Sequence, residues 1–163
     1  MNNLVIFRLL QFPLEYFATF IFAITLALTF HEFSHAWIAT KLGDYTAKYH
    51  GRLTLNPTKH FDIVGTIFLL LFGFGWAKPV PINPNAFKGK YDELKVALAG
   101  PLSNLILATL FMIPYQIIKL FITQDNIIAT DLLEIVIGIN LSLLVFNLIP
   151  IHPLDGSHIL KAL

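Results

Sequence analysis

The chain of 163 residues contains no cysteine and little charge. Without thiols, disulfides, iron–sulfur clusters and thiolate zinc sites are excluded, so any metal must be held by His, Asp or Glu. Charged residues make up 13% against 56% apolar ones, and the mean hydropathy is +0.70, outside the ordinary range of a soluble domain. The net charge of +1 carries no information about partners, and no basic patch interleaved with aromatics suggests a nucleic acid. No cluster of positive charge or small-residue cleavage site marks the first apolar run as a signal peptide, so it is expected to be a retained span. Together these observations describe an integral membrane protein whose first partner is the lipid bilayer.

What is present is a series of apolar runs separated by polar loops. A membrane span needs roughly 20 apolar residues at about 1.5 Å each. Residues 12–39, 96–118 and 132–149 meet that need, with Pro114 expected to kink the second span near one end. Residues 63–76, IVGTIFLLLFGFGW, are apolar but short and carry glycines, which suits a re-entrant or interfacial segment. In the loop before it, YTAKYHGRLTL alternates apolar and polar residues from Tyr45 to Leu55 and predicts a short strand or hairpin. The loop after it, AKPVPINPNAFKGKYDELK, reads as aqueous and irregular. After the third span, PIHPLDG breaks the helix before a new one starts at Ser157. The expected fold is all-α, with three core transmembrane helices, a re-entrant or interfacial segment and a short β-hairpin near the site, in one domain over residues 1–163.

Chemistry concentrates at the end of the first span, in FHEFSHAWIAT. His31 and His35 are four residues apart, so both imidazoles lie on one face of a helix and can reach one ion, with Glu32 beside them. Imidazoles suit zinc, and a carboxylate that does not bind the metal can take a proton from the attacking water. Ionisable groups within a span are functional by default. A catalytic zinc needs a third protein ligand, and Asp155, in the broken segment after the third span, is the best candidate; the lesser alternative is that it caps the helix that follows. His152 and His158 compete for the place. Glu15 and Glu134 lie toward span ends, and His50 and His60 fall in the aqueous loop. Asn104, Asn140 and, from its position alone, Asn147 read as polar groups that bond neighbouring helices. Gly100 and Pro101 allow close approach or a local bend.

HEFSHAW, LNPTKHFDIVGTI, GWAKPVPINPNAF, AGPLSN and FNLIPIHPLDGSHIL together resemble the site-2 protease family of intramembrane zinc metalloproteases, in its compact form without an inserted PDZ domain. The resemblance implies one zinc per chain on His31, His35 and Asp155, Glu32 as general base, and Asn147 as a donor to the substrate carbonyl or its oxyanion. It also implies a transmembrane protein substrate cleaved in or near its span in regulated intramembrane proteolysis. His152 stands where many members have proline, and the chain stops at SHILKAL where relatives continue, as a short or truncated member would. The competing readings are a membrane metal-binding or transport protein, or a silent binder of transmembrane helices. A base beside the ligands argues against both.

Four basic residues, Lys41, Lys48, Arg52 and Lys59, precede the short apolar segment, and Lys78, Lys88, Lys90 and Lys95 follow it. If the segment re-enters, all eight share one side, expected to be the cytoplasmic face of a prokaryotic plasma membrane. Asp155 then returns to the side of His31 and His35, and the metal lies roughly 9 to 15 Å below that boundary, counting along the helix to Lys41.

Overall fold

The computed structural model describes residues 11, 13–121 and 127–162. Three long helices carry the fold: α1 (Leu14–Lys41), α4 (Asp92–Phe121) and α5 (Ile127–Asn147). All three are long and apolar enough to cross a membrane, as the apolar runs predict. Between them lie the four-residue α2 (Thr46–Tyr49) and the ten-residue α3 (Ile63–Phe72), and α6 (Asp155–Ala162) closes the described chain. Leu163, expected at the end of that last helix, lies outside the described residues.

Residue size sets the helix packing. On α1 the buried positions Ala23, Ala27, His31, His35 and Ala39 recur every fourth residue, one stripe of a helix. The facing stretch of α4 buries Ala97, Gly100, Pro101, Ser103, Asn104 and Ala108. Small residues on both sides bring the two backbones close, which is how helices associate where lipid offers no hydrophobic drive. The α4 helix packs against both α1 and α5, and it continues through Pro101 and Pro114.

Hydrogen bonds define the two ends of the bundle. At one end Tyr16 at the start of α1 donates to Asp131 near the start of α5 (2.8 Å), and Tyr115 near the end of α4 donates to Glu134 (2.6 Å). At the other end lie the close of α1, the opening of α4 and the turn after α5. α4 therefore runs antiparallel to α1 and α5, and the chain following α5 arrives beside the end of α1.

The segment after α1 differs from expectation in one respect. Tyr45–Leu55 forms no strand or hairpin, and the described residues contain no strand, only an isolated antiparallel bridge between Phe61 and Ala77. The alternation is overridden locally. Asp44 Oδ1 accepts from the Thr46 N–H (2.9 Å) and starts the turn of α2, which Gly51 ends at φ +66° with Arg52 N–H bonded to Ala47 O (2.8 Å).

The short apolar segment doubles back. Asp62 caps α3 by accepting from Gly65 N–H (2.8 Å), and Gly73 ends it in the left-handed region at φ 81°. The chain then returns so tightly that a Cβ at Gly75 would lie 2.2 Å from the Gly65 carbonyl oxygen. The Phe61–Ala77 bridge and the Lys78 N–H to His60 O bond (2.8 Å) bring entry and exit together. Both basic loops therefore attach at the same end of the hairpin. His60, expected in the aqueous loop, is buried at this junction with Nε2 2.7 Å from Thr54 O, whereas His50 is exposed.

Candidate metal centre

The α1 stripe places His31 and His35 one turn apart, both buried, with their Nε2 atoms 3.1 Å from each other. The turn after α5 delivers Asp155, the first residue of α6, whose Oδ2 lies 3.1 Å from His31 Nε2 and 3.2 Å from His35 Nε2. Three residues from two helices far apart in sequence, α1 and α6, thus meet at one point.

The outer nitrogens of the two imidazoles decide what that point can hold. His35 Nδ1 lies 2.7 Å from the backbone oxygen of Val96, which can only accept, so Nδ1 carries the hydrogen. His31 Nδ1 lies 2.7 Å from Asn104 Oδ1, an acceptor likewise. In the neutral imidazoles, the form that binds a metal, both Nε2 atoms then present lone pairs, and Asp155 Oδ2 is buried with no other hydrogen-bond donor. Three acceptors face one another at 3.1 to 3.2 Å. That spacing is close to the edge, about 3.3 Å, of a tetrahedron built on bonds of about 2.0 Å, and two imidazoles plus one carboxylate form a donor set suited to zinc. One proton would satisfy only part of this set, whereas a single cation meets all three. The residues fit the metal. Gly100 guards the space, since a Cβ there would stand 2.3 Å from His35 Nε2 and 2.5 Å from His31 Nε2.

A cleft of about 370 Å³ opens over the cluster, lined in part by Glu32, Val80, Asn147 and His158. Glu32 is buried, and its Oε2 accepts the Val80 N–H (3.1 Å) from the irregular strap that follows the hairpin. The strap is pinned twice by the loop after α1. Buried Arg52 donates to the carbonyls of Lys78 and Pro79, and buried Asp44 accepts the Asn83 N–H (2.7 Å). Asn147 lines the cleft, with its Nδ2 bonded back to Leu143 O (3.0 Å).

The structure does not bring every candidate to the cluster. His152 is exposed and away from the cleft lining. His158 faces Glu93 across the cleft, Nδ1 to Oε1 3.6 Å, and stands outside the three-residue group. Glu15 and Glu134 are exposed at the opposite end. Sequence reasoning missed Val80, Val96, Arg52 and Asp44. The first two act through backbone atoms, which leave no mark in a sequence. A lone arginine inside an apolar alternation was the only signal for the third.

The C-terminal part of the chain, residues 114–163, matches the model of peptidase family M50, and this part carries Asn147 and Asp155. Similarity to individual relatives covers most of this chain, the HEFSH helix included. Each of three is named as a putative zinc metalloprotease. YwhC of Bacillus subtilis is 41% identical over 96% of this chain and 74% of its own length. The chain belongs to peptidase family M50, the site-2 protease family. MJ0611 of Methanocaldococcus jannaschii is 32% identical over 96% of this chain and 76% of its own. Rip2 of Mycolicibacterium smegmatis is 30% identical over 88% of this chain, which spans 58% of Rip2. No solved structure matches. Family and apolar helices together support a membrane metalloprotease.

Proposed function

We propose that the protein hydrolyses a peptide bond in or beside a transmembrane segment of another membrane protein, with His31, His35 and Asp155 holding one zinc. The observation that carries this reading is the convergence of two imidazole lone pairs and a donor-less carboxylate oxygen beneath a cleft that also contains Glu32. When bound there, zinc supplies a Lewis acid for the scissile carbonyl and draws the pKa of a water down toward about 7.

The remaining work falls to the chain. Glu32, with Oε2 occupied by Val80 N–H, has its second carboxylate oxygen to take the proton of the attacking water and return it to the leaving amine. Asn147 spends one amide hydrogen on Leu143 O and keeps the other for the substrate carbonyl oxygen as negative charge develops there. The substrate must be unwound at the cleavage site, because a helix hides its carbonyls in its own hydrogen bonds. Tyr45–Leu55 cannot supply a pairing edge, being helix and turn. The irregular strap that lines the cleft would be the backbone that receives an unwound segment.

Both basic loops, joined at the base of the hairpin, are proposed to lie at the cytoplasmic face, with the metal roughly 9 to 15 Å below that boundary. Single cysteines in place of Lys48 and Lys88 should label from the same side, and labelling from opposite faces overturns the topology. The function is tested by incubating purified protein in detergent with a single-span substrate and measuring metal in the same sample. Zinc-dependent cleavage that Glu32→Gln lowers by orders of magnitude is the expected result. Zinc binding without cleavage by the wild-type chain would favour a metal-binding or transport role.

A further inference from the structure

His35 has its tautomer set by a backbone carbonyl, but His31 has only a side-chain amide at its Nδ1, and an amide can turn over. Here it cannot. Asn104 is fully buried, and its Nδ2 donates to Ala27 O (3.2 Å) and to Asn140 Oδ1 (3.1 Å), using both hydrogens. Asn140, also fully buried, donates its own Nδ2 to Val136 O (2.9 Å), which leaves only its Oδ1 to face Asn104. Turning Asn104 over would set its oxygen against the Ala27 and Asn140 oxygens and an amide N–H against His31. The network is therefore anchored at two backbone carbonyls, one on α1 and one on α5, and it reads in a single direction from Val136 through Asn140 and Asn104 to His31.

We propose that Asn104, held by Asn140, is a positioning residue that fixes the hydrogen of His31 on Nδ1 and so keeps its Nε2 lone pair directed at the metal. The inference rests on the zinc reading above and extends it from the three ligands to two fully buried amides that touch neither metal nor substrate. It also accounts for two fully buried carboxamides between the helices, where a polar group with an incomplete set of partners is costly.

The test is zinc affinity of the full-length protein, by competition with a chelator, alongside the thermal midpoint of each variant. Asn104→Leu should weaken zinc binding roughly 10-fold to 100-fold, the usual effect of losing an outer partner of a metal-binding histidine. Asn104→Asp separates positioning from packing. It still accepts from His31 but can no longer donate to Ala27 and Asn140, so its thermal midpoint should fall while zinc affinity stays within about 3-fold of wild type. Asn140→Leu, one bond further away, should weaken zinc binding by less than Asn104→Leu and serves if that variant fails to fold. Wild-type affinity in Asn104→Leu or, where that chain does not fold, in Asn140→Leu overturns the proposal, as does Asn104→Asp binding no better than Asn104→Leu. A wild-type chain that takes up no zinc overturns the metal reading itself.

Discussion

The site is built from two halves that obey different rules. His31, His35 and Asp155 sit where helices meet, and the outer nitrogens of the two imidazoles are fixed by Val96 O and by the Asn104–Asn140 pair. Glu32 is on the same helix, one residue from His31, yet its carboxylate is fixed by a backbone N–H from an irregular strap that a separate loop holds down through Arg52 and Asp44. A metal site tolerates little freedom in its ligands, so rigid elements and complete hydrogen bonding suit it. A base that must release and regain a proton is served by a lighter tether, a single N–H. On the function proposed above, metal binding and proton transfer should be separable by substitution, although their residues are adjacent in sequence.

The largest effects should come from the helical half. His35→Ala and Asp155→Ala should each lose most of the one zinc per chain and with it all measurable cleavage. Gly100→Ala should do the same from the opposite helix, because its methyl group would stand in the space between the imidazoles. Full zinc content in Gly100→Ala would show that α4 can retreat and that the centre is less closely packed than described.

Next come changes that should spare the metal. Glu32→Gln should retain zinc by elemental analysis while cleavage falls roughly 10²-fold to 10⁴-fold, the range for loss of a general base. Near-normal turnover would remove Glu32 from the chemistry. Asn147→Ala should slow cleavage by about 10²-fold at unchanged zinc if its free amide hydrogen serves the oxyanion. A normal rate with a lower thermal midpoint would return Asn147 to a packing role.

The strap itself should give a smaller response that sharpens the contrast. Arg52→Met keeps bulk but releases the Lys78 and Pro79 carbonyls, so cleavage should fall by about 10-fold through a misplaced Glu32, with zinc affinity unchanged. A change in zinc affinity would show that the two halves are not separable.

The smallest effect concerns pH. Burial pushes the Asp44 carboxyl up, but hydrogen bonds from the Thr46 hydroxyl and the Asn83 and Thr46 N–H groups outweigh it and hold the group below the usual carboxylate range. A depressed folded-state value means that Asp44 stabilises the loop fully above its unfolded value, about 3.9, and loses that contribution as pH falls through the folded value. Thermal midpoints should therefore differ between wild type and Asp44→Asn at neutral pH and converge in acid. A constant difference would assign the effect to packing.

Much of this arrangement was legible in the chain. Apolar runs of sufficient length can only be spans when the solvent is lipid, and four-residue spacing on a helix can only put two imidazoles on one face, so the three helices and the His31–His35 pair followed from composition and period. The short segment from Ile63 was legible because it cannot cover the hydrocarbon thickness. The alternation at Tyr45–Leu55 misled, because Asp44 caps a helical turn there and finds its second partner at Asn83, far along the chain. By itself the sequence determined which residue types could bind a metal and which segments could cross a membrane, since both depend on local chemistry and length. Only the tertiary structure decided that Asp155, and neither His152 nor His158, completes the cluster, that Val80 tethers Glu32, and that two buried amides set the His31 tautomer. Those outcomes depend on distances between segments tens of residues apart, which helix packing fixes and no local pattern encodes.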